Sequence, residues 1–368
     1  MSVVPYALPF RTPIRTARVR MADRRGLLVR VRAGALEGLG DAAPWPGFGL
    51  EPLVACEAAL HRACRELRGA RLDGVGDTEA WLEGLARVAP AAAGALRTAL
   101  EDLAAKGRGI PLAAHLGGRP AGDVPVAALL GEGPAAALAA EAEARCREGF
   151  RTLKVKLTGR VELDRRRLEA VRRAAPPPVA LRIDAGRGFG AAEAEAGLAG
   201  LARHAPEFVE EPLADPEPRA IARLLCTCPV PVAFDESLAD RELRESVLEH
   251  GAGHFAVIKP AALGGPRRAL ALARDAREHG LRVVVTSFLD SAVGVAAALH
   301  LAAAVGCGEP AAGLATSRLF LRDVAVPPPI EGGRAAVPAQ PGLGIELAPA
   351  ATPNGARVRT GTPAERLA

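Results

Sequence analysis

From residue 124 onward, short apolar runs alternate with longer Ala/Leu/Arg/Glu segments of helical character. The runs are "VPVAALL" (124–130), "RTLKVKL" (151–157), "VALRIDA" (179–185), "EFVEEP" (207–212), "VPVAFDE" (230–236), "HFAVIKP" (254–260), "LRVVVTS" (281–287) and "AAGLATS" (311–317). They predict eight strands separated by seven helices. Near-continuous apolar strands suit a parallel sheet covered on both faces. Polar residues stand at the end of nearly every run: Lys154 and Lys156, Asp184, Glu210, Asp235, Lys259, Thr286 and Ser287, Thr316. From Lys156 to Asp184, Glu210, Asp235 and Lys259 the intervals are 28, 26, 25 and 24 residues. One strand–helix unit per interval carries all these ends to one face. The expected fold is therefore α/β, a (β/α)7β TIM-like barrel over 121–324, whose C-terminal face carries the site. A doubly wound sheet is the alternative, but no Gly-rich phosphate fingerprint follows the first strand.

Residues 1–120 have a different pattern. The stretches "VPYALPF", "ARVRMADRRGLLVRVRA" and "EGLGDAAPW" predict two or three strands, followed by helical segments near 52–68, 78–88 and 91–106. A Pro/Gly-rich tail from about 325 holds another strand candidate, "AQPGLGIEL". Front and tail together (1–120 completed by 325–368) read as one α+β capping domain, with the final dozen residues frayed.

Composition narrows the class. Of 368 residues 49% are apolar but only 3% aromatic, so the core must be built from Ala, Val and Leu. The net charge of +5 would fit nucleic acid, yet the basic residues are interleaved with 42 acids and stacking aromatics are scarce, so no nucleic-acid partner is expected. The cysteines (56, 64, 146, 226, 228, 307) form no metal-ligand or disulfide spacing and read as reduced core thiols of a cytoplasmic protein. No secretory signal is visible, and the longest apolar run (291–306) is too short to span a bilayer, so no membrane partner is expected. Most informative is lysine. Only Lys106, Lys154, Lys156 and Lys259 occur beside 43 arginines. A buried lysine can give up its proton and act as a base, which arginine cannot.

Asp184, Glu210 and Asp235 on adjacent strand ends would repel one another strongly unless a cation sat between them. Oxygen-only ligation suits Mg²⁺. Lys154 and Lys156 precede this set and Lys259 follows it; a lysine near a metal and another cation has lowered proton affinity and can serve as a base. Ordinary strand-end salt bridges explain any one of these residues better, but not five at one period.

The segments "KVK", "RIDAGRGF", "VEEPLADP", "FDESL" and "VIKPAALGG", in this order, resemble the enolase superfamily, muconate-lactonising subgroup, over nearly the full length. The resemblance implies Asp184, Glu210 and Asp235 as ligands of Mg²⁺, for which Mn²⁺ can substitute. It implies Lys156 as the base, Lys154 as its electrostatic neighbour, and Lys259 as a cation facing an enediolate. Glu211 and Glu236 would support the ligands. Arg182 either reaches a substrate carboxylate or closes a strand-end ion pair. "GDAAPWPGFG" (40–49) resembles a loop that closes over substrate, which makes Gly47 and Phe48 contact candidates, with Thr286 and Ser287 facing them from the seventh barrel strand. An acidic pair at that place would mark a dipeptide epimerase; the lone Asp290 does not match it. One departure stands out: Gly186 occupies the place of the family's usual Asn. The implied partner is a small-molecule carboxylate, with a homo-oligomer left open. The implied chemistry is dehydration of a succinyl-bearing cyclohexadiene carboxylate, with racemisation of N-acyl amino acids as the rival. A Schiff-base aldolase using Lys259 and a non-catalytic barrel are more remote.

Overall fold

The computed structural model describes residues 1–15, 20–69, 75–118, 122–306, 308 and 310–349. The tail expected to fray lies outside the described residues, as does Cys307. The chain opens with an antiparallel sheet of β1 (Ser2–Arg15), β2 (Arg20–Ala33) and β3 (Leu36–Ala42), ordered β1-β2-β3. Three helices follow: α1 (Leu53–Glu66), α2 (Val75–Ala86) and α3 (Pro90–Gly107). The α3 helix lies directly on β3, and the sequence shows why. Gly38 and Gly40 share one face of the strand, and a Cβ on either would collide with the carbonyl oxygens of Ala99 and Ala95. The helix answers with its own small side chains, among them the buried Ala92, Ala93, Ala95 and Ala99. An Ala/Gly contact lets the backbones approach and compensates for the shortage of aromatics.

After α4 (Leu112–His115) and β4 (Asp123–Pro125) comes a seven-stranded parallel sheet. Its strands are β5 (Ala128–Leu129), β6 (Thr152–Lys156), β7 (Ala180–Asp184), β8 (Phe208–Glu210), β9 (Val232–Phe234), β10 (Phe255–Ile258) and β11 (Arg282–Val285), each beside its sequence neighbour. Helices α5 (Ala135–Arg147), α6 (Val161–Ala174), α7 (Ala194–Ala202), α8 (Pro218–Thr227), α9 (Arg241–His250), α10 (Pro266–Glu278) and α11 (Ala292–Val305) alternate with them. This bears out the expected α/β barrel class with an antiparallel cap.

Two strand expectations are modified. The run 124–130 splits: Pro125 and its neighbours pair with β13 (Arg334–Ala336), while Ala128 and Leu129 join the parallel sheet. The eighth run, 311–317, is no regular strand. Instead Ala312 bridges Val126 and Gly313 bridges Thr286, so that backbone bonds such as Ala127 N to Ala312 O (2.8 Å) and Gly313 N to Val285 O (2.9 Å) join the two edges of the sheet. With β12 (Ile330–Glu331), β13 forms a small sheet on β4, and Leu343 N donates to Asp102 of α3 (2.7 Å). Among the five described cysteines only Cys56 is buried and Cys226 is exposed, so the thiols are not uniformly core residues.

His300, fully buried on α11, ties three segments together. Ala113 N donates to its Nδ1 (3.2 Å), which places the proton on Nε2, and Nε2 donates to Leu343 O (3.1 Å). Burial pushes its pKa down to about 4. The sign follows directly: the unfolded histidine protonates first, near pH 6.5, so the native state loses stability as pH falls from there toward 4. Denaturant unfolding of wild type and His300→Gln at pH 7 and pH 5 should show the wild-type advantage shrinking by about 2 kcal/mol at the lower pH. A pH-independent difference would contradict this reading.

Candidate active site at the C-terminal ends of the parallel strands

A cavity of about 1020 Å³ opens at the C-terminal ends of the parallel strands, beneath the cap. Its walls include Lys154, Lys156, Arg182, Asp184, Glu210, Asp235, Glu236, Lys259, Thr286 and Ser287 from the barrel, with Gly47 and Phe48 from the cap. Strand pleating explains the gathering. Along β6, Leu153 and Val155 are fully buried while Lys154 and Lys156 turn to the other face. Parallel register then sets Lys156 beside Asp184 and Asp184 beside Glu210.

The lysines differ in how tightly they are held. Lys154 Nζ lies 2.7 Å from both carboxylate oxygens of Glu210 and 3.0 Å from Asp184 Oδ2. Lys259 Nζ makes a close ion pair with Asp235 Oδ2. Lys156 Nζ has only a 3.7 Å approach to Asp184 Oδ2, and its side chain is 36% exposed, against 13% for Lys259. Burial works against the charge on Lys154, but Asp184 and Glu210 override it and hold its proton more firmly than usual. The same balance, led by Asp235, raises Lys259. Neither is poised to lose a proton in this state. Among the acids, burial alone would raise Asp184, yet Lys154 and Lys156 hold it well below the usual carboxylate range. Burial raises Glu210, with Asp184 and Asp235 adding to it. Burial likewise brings Asp235 to about 6 despite Lys259.

Among the described residues no three ligating side chains are already drawn around one point, because Lys154 lies between Asp184 and Glu210 while Lys259 takes Asp235. The donor set nevertheless fits a hard divalent cation. All three side chains are buried carboxylates lining one cavity, an all-oxygen donor set. Asp184, Glu210 and Asp235 could hold Mg²⁺.

Supporting contacts surround this set. Glu211 does not line the cavity; its Oε1 accepts from Asp235 N (2.8 Å) and Ser237 N (2.7 Å), and its Oε2 from Ser237 Oγ (3.0 Å), fixing the turn that carries Asp235. Arg182 is buried, donates to Glu207 and Ala311 O (both 2.7 Å), and stacks 4.9 Å from the Phe208 ring. The ion pair expected for it is present, and the residue also lines the cavity, its Nη2 without a hydrogen-bond partner among the described residues. Ser287 Oγ bonds Thr316 Oγ1 (2.6 Å), whereas the buried Thr286 Oγ1 has no hydrogen-bond partner among the described residues. Asp290 is buried outside the cavity wall and accepts from Phe288 N (2.8 Å).

Gly186 has φ +51°, and Arg187, Glu211 and Leu289 also lie in the left-handed region, each just beyond the end of a parallel strand. Such strain gathers where a site dictates the backbone. Glycine and asparagine are the residues that best tolerate this conformation. Gly186 thus keeps the turn where the family's Asn is missing, while giving up a side chain that would have stood near Asp184 Oδ1. Three arginines of the site escaped the sequence reading. Arg167 donates to Lys156 O (2.9 Å) and pairs with Asp164 (3.0 Å), anchoring the end of β6. Arg187 and Arg24 also line the cavity. In a chain this rich in arginine, no local pattern separates them from solvated ones.

From the cap, Trp45, Pro46, Gly47 and Phe48 reach the cavity, with the Phe48 ring 4.8 Å from Lys259 Nζ. Phe48→Ala should therefore change both KM and kcat, as mobile lids do. A folded variant with both constants unaltered would contradict a lid role for this loop.

The "Mandelate racemase / muconate lactonizing enzyme, N-terminal domain" family matches residues 1–117, and "Enolase C-terminal domain-like" matches residues 137–351. An o-succinylbenzoate synthase of Mycobacterium tuberculosis (strain ATCC 25618 / H37Rv) is 40% identical over 205 residues, 54% of this chain and 60% of the relative. A second, from Mycobacterium ulcerans (strain Agy99), is 38% identical over 192 residues, 51% and 56% of the two chains. The matches thus span three fifths or less of these curated relatives. Among solved structures, muconate lactonizing enzyme from Pseudomonas fluorescens, complexed with muconolactone, superposes with TM-score 0.85 at 25% identity, covering 94% of this chain and 95% of that one. A dipeptide epimerase from Methylococcus capsulatus, complexed with Mg and a dipeptide, gives TM-score 0.83 at 30% identity over 94% and 98%. With strand-end carboxylates and lysines on such a barrel, the chain belongs to the enolase superfamily, with the N-terminal domain of the mandelate racemase and muconate lactonizing enzymes.

Proposed function

We propose that this chain is an o-succinylbenzoate synthase, converting 2-succinyl-6-hydroxy-2,4-cyclohexadiene-1-carboxylate into 2-succinylbenzoate and water, a step of menaquinone biosynthesis. Asp184, Glu210 and Asp235 would hold Mg²⁺, or Mn²⁺ in its place. When bound, the cation supplies the positive charge that makes the carbon beside the ring carboxylate acidic. Lys156 Nζ removes the proton from that carbon, leaving an enediolate. The C–O bond to the β-hydroxyl then breaks, and the Lys156 ammonium returns the proton so that water leaves from the same face. Aromatisation drives this step. Lys259, paired with Asp235, contributes positive charge to the enediolate oxygens without transferring a proton. Closed over the bound substrate, the aromatic lid would keep water from the enediolate.

The observation that carries this reading is the asymmetry of the two lysines. Lys156 is loosely paired and more exposed; Lys259 is locked to Asp235. One mobile base facing one fixed cation suits a syn dehydration. The second reading, N-succinyl amino acid racemase, is favoured by the position of Lys259, three strands on from Asp184 and facing the same cavity. An aldolase would need Lys259 neutral as a nucleophile, and Asp235 opposes that. The names of the mycobacterial relatives support the synthase, and the epimerase structures keep the racemase in view. Offering the purified protein both substrates decides between them. Loss of diene absorbance with a higher kcat/KM than racemisation of an N-succinyl amino acid is expected. The reverse order would transfer the assignment to the racemase.

A further inference from the structure

Arg24 sits in β2 opposite Leu8 of β1, only 5% exposed, at the seam between cap and barrel. Among the described residues it makes no ion pair, although the charges of Asp41 and Asp290 are close enough to interact with it. Its hydrogen bonds go to carbonyl oxygens instead. Nη1 donates to Pro44 O (3.2 Å), and Nη2 to Ala43 O and more weakly to Phe288 O (3.4 Å). Its guanidinium carbon lies 5.3 Å from the Trp45 ring centroid and 5.6 Å from that of Phe288. One side chain thereby binds two segments remote in sequence: residues 43–45 entering the lid, and residue 288 leaving β11.

Those rings belong to an aromatic trio. Trp45 and Phe48 are 5.3 Å apart, Trp45 and Phe288 5.9 Å, and Phe48 and Phe288 4.8 Å, edge to face. The trio carries a second cation, Lys259, whose Nζ is 4.8 Å from Phe48 and 5.7 Å from Phe288. Burying a guanidinium without a carboxylate is costly, so a site that does so must use its geometry. The planar fork of arginine can lie flat on rings while its edge serves carbonyls of two segments, a fixed geometry that a compact ammonium does not reproduce.

We infer that Arg24 is a positioning residue, a clamp that fixes the cap loop 43–49 against the Phe288 loop and so holds Phe48 over Lys259. Although it lines the cavity, its Nη donors are taken by the carbonyls of Ala43, Pro44 and Phe288. Its influence reaches the reaction through the lid, hence through substrate retention more than through proton transfer. The inference rests on the proposed synthase reading only for the choice of substrate.

The test compares Arg24→Met and Arg24→Lys with wild type by hydrogen–deuterium exchange and by steady-state kinetics. In both variants exchange in 43–49 should accelerate while α1, α3 and the barrel strands keep their protection. KM should rise about tenfold, the worth of one desolvated cation–π contact with its hydrogen bonds, with a smaller change in kcat. Mg²⁺ affinity should not move. Unchanged local exchange and KM in the lysine variant would overturn the clamp, because charge alone would then suffice. Loss of protection throughout the cap in the lysine variant would overturn it too, by making Arg24 a support of the cap as a whole. Exchange is read without substrate, so a protein that turns over some other carboxylate still decides the question.

Discussion

Lys156→Arg should lower dehydration by about 10²–10⁴-fold, the range that general-base catalysis contributes, while leaving the fold and Mg²⁺ binding in place. Arginine keeps the charge near Asp184 but cannot give up a proton at working pH. The surroundings make this the cleanest substitution in the site. Lys156 makes one long ionic contact, so its replacement breaks no tight pair, and Arg167 secures the strand end through the Lys156 carbonyl, which the substitution leaves unchanged. Lys259→Arg should cost much less, roughly tenfold, because a cation is still supplied though its geometry differs. Equal, near-complete loss in both variants would identify two proton-transferring lysines and hence the racemase. Wild-type rates in Lys156→Arg would remove the mechanism. Lys106→Arg serves as a near-silent control, since Lys106 bonds Asp102 and Glu37 O far from the cavity wall.

The second large effect concerns Glu210→Gln. Glu210 is the middle member of the carboxylate set, in register with Asp184 and with both oxygens 2.7 Å from Lys154. Glutamine keeps the shape and removes the charge. Calorimetric titration should show Mg²⁺ affinity falling by more than the roughly 10–100-fold typical of residues that merely orient a ligand. Turnover should fall with it and recover only partly at high Mg²⁺. Treatment of the wild type with EDTA should abolish activity, and added Mg²⁺ should restore it. Wild-type Mg²⁺ affinity in Glu210→Gln would exclude Glu210 from the ligand set.

The barrel was legible because its signal is local and periodic. A parallel strand buried on both faces writes itself as an apolar run, and a polar residue at the end of each run marks the face where the site must lie. The intervals from Lys156 to Lys259 point five chemical residues to one face, and all five line the cavity. What escaped is non-local. That Ala312 bridges Val126, or that β13 pairs with β4, depends on residues some 190–210 positions away. Nor does spacing reveal which acid each lysine chooses. The pairing of Lys154 with two carboxylates and of Lys259 with one follows from side-chain reach across the cavity. For Arg182, likewise, no spacing points to Glu207 and the Phe208 ring as its neighbours. Arg24 was hidden most thoroughly: it lies within the predicted strand stretch "ARVRMADRRGLLVRVRA" with no signal of its own among the neighbouring arginines, yet it is buried at the seam with the barrel.

The central claim is that Asp184, Glu210 and Asp235 share one divalent cation beneath a carboxylate substrate, with Lys156 at the proton to be removed. A crystal structure of the protein grown with Mg²⁺ and 2-succinylbenzoate tests it most directly. The account predicts one ion in contact with all three carboxylates and with the ring carboxylate, Lys156 Nζ facing the carbon that bears it, and Phe48 closed over the ligand. An ion bound elsewhere, or Lys156 turned away from the ring, would contradict it.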